Sequence, residues 1–586
     1  MPQPNTPISL HKSQPDLVHI QKLFEKGSYR KALFQSKKAL KLLPERPDLH
    51  GVAAHSAFQV GNVDEAINHY KTAISIQGKG GVYSTQLADL YAKMGDFDAA
   101  ITHFSDRLRT TPQDARACHG LGQVLSQTGK RMEALTILAE AVQIDPTNPK
   151  YFSSLGRAFR DAGMTDQALN SFEIARQLDP DDVVHYLNSI RSCYSIGQAA
   201  RGFEILSEAE EKWPKDASLQ AAKGVILAAL GQKEAAKIAY LTAISLDPNN
   251  SGAFYNYLNV ASQQEYLKVE AGLRALLKQN PESSDLGYLQ FALAKIEQQH
   301  GHYADAYQAL KTGNRLRKAH LNYDISQDAS LFQDIKAQFD GEVTPNTTSS
   351  PDDPTPIFIT GLPRSGTTLT EAILARHARV TPMGELGVLS QVVRRCYTNR
   401  TGLSAKQGAD LRAEYLAAIP ETDEKPDMFT DKMPLNFRLI GYIASAMPTA
   451  QIIHVQRDAR ANCWSIFNHY FSSTGMGFAY DPDDIVQYYH MYKDLMDFWM
   501  DRFGDRIVTL DYEALVADQE KTTRNLIKDL SLTWDDNCLT PERADHMVRT
   551  ASAQQVRKQV YAGSSQTWRA FEPFAGDWLE RVKSLD

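Results

Sequence analysis

The amino-acid sequence predicts a two-part fold, an α-solenoid followed by an α/β domain built on a parallel sheet. Glycines recur every 34 residues through the first half of the chain. A short apolar strand signal at 356–360 runs into a glycine-bearing turn and then a helical stretch. A second strand signal at 452–455 also opens into a helix, and strands joined through helices pair in parallel. At 586 residues the chain is long enough for several domains.

The repeat comes first. Glycines stand at Gly27, Gly61, Gly95, Gly129, Gly163, Gly197 and Gly231. Five residues beyond them come Ala32, Ala66, Ala100, Ala134, Ala168 and Ala236, with Gly202 in the sixth copy. Twelve beyond come Ala39, Ala73, Ala141, Ala175, Ala209 and Ala243, with Arg107 the exception. Seventeen beyond come Pro44, Pro112, Pro146, Pro180, Pro214 and Pro248, Gly78 replacing the second proline. Glycine permits the tight turn between two antiparallel helices, and alanines seven apart let neighbouring helices approach closely. Proline ends each second helix because it cannot extend the hydrogen-bond ladder. The pattern resembles the tetratricopeptide repeat, which implies stacked helix pairs with a concave surface. Seven copies are expected over 13–250 and degenerate helical repeats over 251–340, where Gly301 and Ala306 restart the pattern after one irregular pair. A polar, Pro-rich linker is expected over 341–356, and the α/β domain over 357–586.

The second half opens on Gly361-Leu362-Pro363-Arg364-Ser365-Gly366-Thr367-Thr368. Strand, glycine turn and helix N-terminus together aim several backbone N–H groups at one anion. Gly361 and Gly366 are spaced as in a nucleotide-binding phosphate loop, with Thr368 at its Ser/Thr position. Thr367, however, stands where that motif has its lysine. Arg364 supplies positive charge from inside the loop instead.

Arg-Ser-Gly-Thr-Thr after a strand resembles the 5′-phosphosulfate loop of sulfotransferases, whose donor is 3′-phosphoadenosine 5′-phosphosulfate. The second strand supports this resemblance, because Arg457 and Ser465 match the family's arginine and serine for the donor's 3′-phosphate. Pro382-Met383-Gly384-Glu385-Leu386 resembles the region carrying the catalytic glutamate of tyrosylprotein sulfotransferases. Thr430-Asp431-Lys432-Met433-Pro434 resembles their Lys-Asp-Pro stretch, with lysine and aspartate in another order. The segment 555–560 resembles a C-terminal stretch whose lysine, here Lys558, reaches the donor. A repeat array joined to such a domain is similar to a bacterial class of sulfotransferases.

The resemblance implies roles. Glu385 is the candidate base, with His377 and His454 as competitors; His454 reads as a core residue and His377 sits at a helix end. Lys432 and Arg364 would stabilise the leaving oxygen. Ser365, Gly366, Thr367 and Thr368 would hold the 5′-phosphate, and Arg457, Ser465 and Lys558 the remainder of the donor. No metal is expected. Trp464, Trp568 and Tyr561 could stack on adenine or border the acceptor cleft, although core packing suits Trp464 better.

The favoured acceptor is a protein tyrosine docked on the repeats, with a carbohydrate or small-molecule hydroxyl as alternative. A phosphate-loop kinase or NTPase is a rival reading, because 507–511 imitates a strand ending in a magnesium-binding Asp511; an inactive repeat scaffold is another. A net charge of −7 argues against broad nucleic-acid binding. No apolar run reaches the roughly 18 residues of a membrane span. The N-terminus lacks a basic segment followed by an apolar core, which argues against a secretory signal. The scattered Cys118, Cys193, Cys396, Cys463 and Cys538 suit neither a disulfide framework nor a zinc site. A cytoplasmic location with reduced thiols follows as the expectation, and the sequence leaves room for a homodimer.

Overall fold

The computed structural model describes residues 17–279, 286–341, 353–396, 403–420, 425–471, 473, 475–543 and 562–583. The first half is a succession of antiparallel helix pairs. Pro47–Gln59 precedes Val63–Gln77, Val82–Met94 precedes Phe97–Thr110, and Ala115–Gln127 precedes Arg131–Ile144. Pro149–Asp161 with Thr165–Leu178 and Ala217–Ala229 with Lys233–Leu246 follow the same plan. The turn glycines from Gly27 to Gly231 all lie at φ between +68° and +89°. At Gly129 a Cβ would meet nothing within 4 Å, so backbone conformation, not space, selects glycine there. Gly129→Ala should therefore cost about 1–2 kcal/mol and Gly129→Asn less, since asparagine tolerates the left-handed region. Thermal unfolding of the two variants checks this; equal losses would contradict it.

The register alanines Ala32, Ala66, Ala100, Ala134, Ala168 and Ala236 are fully buried. Residues preceding the prolines (Thr111, Asp145, Asp179, Trp213 and Asp247) all leave the helical region with ψ between 68° and 96°, as a following proline requires. Two of the three irregularities in the sequence pattern, Gly78 and Arg107, are one structural event. Where Gly78 replaces proline, the chain passes through Gly80, whose carbonyl accepts from Arg107 NH1 at 2.6 Å. Arg107, standing in an alanine position, also bonds Asp114 through Nε at 2.6 Å. The long side chain fills the altered turn.

Contacts divide the chain into two compact units, up to Ser192 and from Cys193. In the second unit an irregular pair, Ser251–Val260 and Leu267–Gln279, precedes the helices Leu286–Gln299, Tyr303–Leu321 and Ile325–Phe339. These helices seat directly on the α/β domain. Tyr288 lies 4.1 Å from Tyr470 between ring centroids. Asn314 Nδ2 donates to the Phe467 carbonyl at 3.1 Å. Phe339 packs edge-on against Trp499 and Tyr442 at 5.5 and 5.0 Å. Gly441 makes that fit possible, since a Cβ there would fall 2.7 Å from Trp499 and 2.8 Å from Phe339.

The sheet has strands β1 (Thr355–Gly361), β2 (Val380–Pro382), β3 (Met428–Asp431), β4 (Gln451–Gln456) and β5 (Ile507–Asp511). Their order is β2-β3-β1-β4-β5, and every pairing is parallel. The expected solenoid and parallel α/β domain are thus both present. The chain leaves β1 toward one edge and returns on its other side at β4, which opens a crevice at the carboxyl ends of the strands. Described cysteines Cys118, Cys193, Cys463 and Cys538 are free and buried. Among the described residues no helix is long and apolar enough to cross a membrane.

Candidate active site

The residues singled out in the sequence follow the carboxyl ends of four strands. β1 ends at Gly361, φ +151°, where a Cβ would sit 2.5 Å from the Val455 carbonyl oxygen of β4. Only glycine lets the chain turn out between these strands. Arg364 follows at φ +71°, a left-handed conformation uncommon for arginine. The neighbouring backbone is held by others: Asn462 Nδ2 donates to the Pro363 carbonyl at 2.9 Å, and Arg457 NH1 to the Arg364 carbonyl at 2.8 Å. Gly366 has φ +115°, and a Cβ there would lie 2.4 Å from the Tyr512 ring. The helix Thr367–Leu374 starts immediately after it, and its N-cap residue, a glycine, has no side chain to cap it. First-turn N–H groups lack intrahelical acceptors and carry the positive end of the helix dipole.

Ser365 Oγ is buried and has no hydrogen-bond partner among the described residues. It faces a small cavity shared with Arg457, Asn462, Tyr489 and Lys493. An orphaned hydroxyl beside a helix N-terminus and an arginine suits phosphate oxygens, so the residues of this loop fit the phosphate of the expected donor.

Arg364 and Arg457 lie on the same side of the domain. Arg364 Nε donates to Ser465 Oγ at 3.1 Å, which joins the two motifs expected to share the donor. Arg457 stacks 4.7 Å above the Tyr512 ring, and its Nε reaches Ser565 Oγ at 3.4 Å. Ser565 donates in turn to Glu513 Oε1 at 2.7 Å. The other oxygen of Glu513 accepts from the Asp458 N–H at 3.0 Å. Ser465 is fixed by the helix Ala459–Phe467, which Asp458 caps by accepting from Ala461 N at 2.8 Å.

Glu385 and Lys432 meet from the loops after β2 and β3. Lys432 Nζ donates to Glu385 Oε1 at 2.7 Å; the lysine side chain is fully buried and the glutamate 38% exposed. Backbone ties the loops together, since Lys432 N donates to the Gly384 carbonyl at 2.9 Å. Buried Glu371 braces the turn from behind, accepting from Gly384 N at 3.0 Å and Thr430 Oγ1 at 2.8 Å.

Asp431 accepts from Tyr415 OH at 3.0 Å and Asn436 Nδ2 at 3.3 Å. Burial, more than the nearby Glu371 charge, pushes its pKa up to about 8. The ordinary carboxyl value is about 4, so the folded protein holds this proton more tightly than the unfolded chain. Stability should consequently fall as pH rises from about 4 toward 8 and level off above. Asp431→Asn should flatten that slope in pH-dependent thermal unfolding; an unchanged slope would contradict the assignment.

Other candidates have structural posts. His454 is buried in β4 against Tyr492 OH, and burial drives its pKa down to about 3. His377 is buried beyond the loop helix, where Nε2 meets the Thr533 carbonyl at 2.8 Å and Nδ1 accepts from Arg379 N at 3.2 Å. Asp511 caps the helix Tyr512–Ala517, accepting from Ala514 N at 2.6 Å. Trp464 packs in the core 4.3 Å from Phe571, and Trp568 carries the Arg460 guanidinium at 4.2 Å. Lys558 and Tyr561 lie outside the described residues. Sequence reasoning missed Glu371, Asn462, Glu513 and Ser565, which act on the site through backbone or through another side chain. Only Asn462, one turn into the helix after Arg457, carried a local signal.

Residues 356–536 match the family model described as Sulfotransferase family, and residues 91–158 and 217–250 match Tetratricopeptide repeat models. An uncharacterized protein of Aquifex aeolicus (strain VF5) is 28% identical over 397 residues, covering 64% of this chain and 52% of that one. The protein-tyrosine sulfotransferase of Drosophila melanogaster is 26% identical over 198 residues, covering 32% of this chain and 40% of that one. Protein-tyrosine sulfotransferase 1 of Danio rerio is also 26% identical over 198 residues, covering 32% and 56%. The chain spans about half the length of the curated relatives it matches. It thus carries tetratricopeptide repeats followed by a sulfotransferase-family domain.

Proposed function

We propose that the protein transfers a sulfuryl group from 3′-phosphoadenosine 5′-phosphosulfate to an acceptor hydroxyl. A protein tyrosine is the favoured acceptor, selected by the repeats. The observation that carries this reading is the gathering of Arg364, Glu385, Lys432 and Arg457 at the carboxyl ends of β1 to β4, in two linked pairs: Arg457 with the Arg364 carbonyl at 2.8 Å and Lys432 with Glu385 at 2.7 Å.

The donor would supply an activated sulfur–oxygen bond. Gly366, Thr367, Thr368 and the unpartnered Ser365 hydroxyl hold the phosphate next to that bond. Arg457 and Ser465 orient the far end through the 3′-phosphate, a contact suited to a guanidinium and a hydroxyl. Glu385 takes the acceptor proton as the acceptor oxygen bonds to sulfur. The bridging oxygen departs on 3′,5′-ADP, and Lys432 and Arg364 stabilise the charge that grows there. Positioning and fixed charge carry most of such an in-line transfer.

The kinase or NTPase reading is weaker, since Thr367 replaces the loop lysine and Asp511 is used as a helix cap. Thermal shifts discriminate: a ligand at 100 times its Kd stabilises by about 2.7 kcal/mol. 3′,5′-ADP should raise the midpoint and Mg-ATP should not. Incubation with sulfur-labelled donor and an extract should then yield labelled sulfotyrosine. A labelled glycan would redirect the acceptor assignment, and stabilisation by Mg-ATP alone would overturn the reading.

A further inference from the structure

The helix Pro482–Phe503 carries no residue singled out in the sequence, yet it walls part of the crevice at the strand ends. Tyr492 seats it on β4, its ring 5.8 Å from the His454 ring and its hydroxyl bonded to His454 Nε2. Tyr492 and Lys493 stand three and four residues after Tyr489, so the three share one face of the helix. That face lines a cavity together with Ser365 of the phosphate loop and Arg457, which follows β4; its volume is about 50 Å³. A single water needs about 10–15 Å³, so this space admits several oxygen atoms.

Two polar groups on this cavity are unanswered. Ser365 is 1% exposed, and its Oγ has no hydrogen-bond partner among the described residues. Lys493 is half-buried and forms no hydrogen bond or ion pair among the described residues. The first can donate a proton to an oxygen, and the second can donate up to three.

The neighbouring side chains do not compensate the lysine. Asp494 is engaged by Lys336, whose Nζ lies 2.9 Å from both carboxylate oxygens. Asp497, one turn farther on, is exposed and makes no ion pair with Lys493. His454 is held neutral, since burial and then the Lys493 ammonium lower its pKa to about 3. Arg457 brings a second positive charge to the same space. An ammonium without a counter-charge, beside a buried hydroxyl without an acceptor, favours an anion between them.

We propose that Lys493 is a further donor-binding residue, whose ammonium holds a phosphate oxygen across this cavity from the Ser365 hydroxyl. The identity of the donor rests on the sulfotransferase reading. The phosphate is either the 5′ or the 3′ one, because the cavity touches both the loop that holds the first and the arginine that holds the second. The helix Pro482–Phe503 thereby becomes a wall of the donor site rather than a packing element alone.

The test is calorimetric titration of the full chain with 3′,5′-ADP and with 5′-AMP, in wild type and in Lys493→Met. Losing one charge-assisted hydrogen bond should weaken binding by about 10–100-fold. The unliganded thermal midpoint should stay near wild type, because the lysine has no partner to lose, and Lys493→Arg should keep most of the affinity. Equal weakening of both nucleotides supports contact with the 5′-phosphate, and weakening of 3′,5′-ADP alone supports the 3′-phosphate. Unchanged affinity for both, in a protein that binds 3′,5′-ADP, would overturn the inference. Should Lys493→Met lower the unliganded midpoint, site-resolved lysine acylation of wild type decides in its place: protection of Lys493 by 3′,5′-ADP supports the contact, and no protection removes it. If wild type binds neither nucleotide, the donor reading fails by itself. Inorganic sulfate then decides the cavity, since protection of Lys493 by sulfate keeps an anion subsite there and its absence removes one.

Discussion

Glu385→Gln is expected to lower kcat for sulfuryl transfer by about 10²–10⁴-fold, the usual contribution of a general base, while 3′,5′-ADP still binds normally. Glutamine keeps the shape and one oxygen acceptor but cannot take the hydroxyl proton. The structure places the carboxylate on the solvent side of the site and its lysine partner in the interior, 38% and 0% exposed respectively. An acceptor can therefore approach Glu385 without displacing Lys432. Lys432→Met should cause a loss of similar size, because the leaving oxygen would lose its cation and Glu385 its ion-pair partner. The double variant should be little worse than the poorer single one, as happens when two groups work as a unit. Steady-state kinetics with a sulfur-labelled donor measures all three. Turnover of Glu385→Gln near wild type would remove it as the base.

Arg457→Ala is expected to weaken 3′,5′-ADP by about 10–100-fold, since it removes a guanidinium–phosphate contact worth about 1.5–3 kcal/mol and a brace on the loop. The brace is the hydrogen bond to the Arg364 carbonyl, 2.8 Å, which helps to keep Arg364 at φ +71°. The ligand lacking the 3′-phosphate, 5′-AMP, separates the two effects. If Arg457 binds the 3′-phosphate, the variant should lose most of its preference for 3′,5′-ADP over 5′-AMP. If it acts only as a brace, both ligands weaken equally. Calorimetric titration with each nucleotide decides.

The two halves of the chain differ in how openly the sequence displays them. The solenoid is legible because each turn must pass through positive φ, as at Gly129, and the same demand returns in every copy. The phosphate loop is legible for a related reason, since Gly361 and Gly366 stand where a Cβ would strike Val455 or Tyr512. The order of the sheet is not. β2 and β3 are only three and four residues long, too short for an alternation pattern. Glu385 and Lys432 entered through resemblance, and their contact depends on β2 lying beside β3. Asp511 offered a metal-ligand look that a helix cap explains, as aspartate before a helix commonly does.

The helices Leu286–Gln299, Tyr303–Leu321 and Ile325–Phe339 bury Phe291, Tyr307 and Phe339 against the α/β domain. This makes the catalytic body larger than the α/β domain alone, and it restricts how such a protein can diversify. The final helices are under a particular constraint, because any change there must also preserve this aromatic packing against the α/β domain.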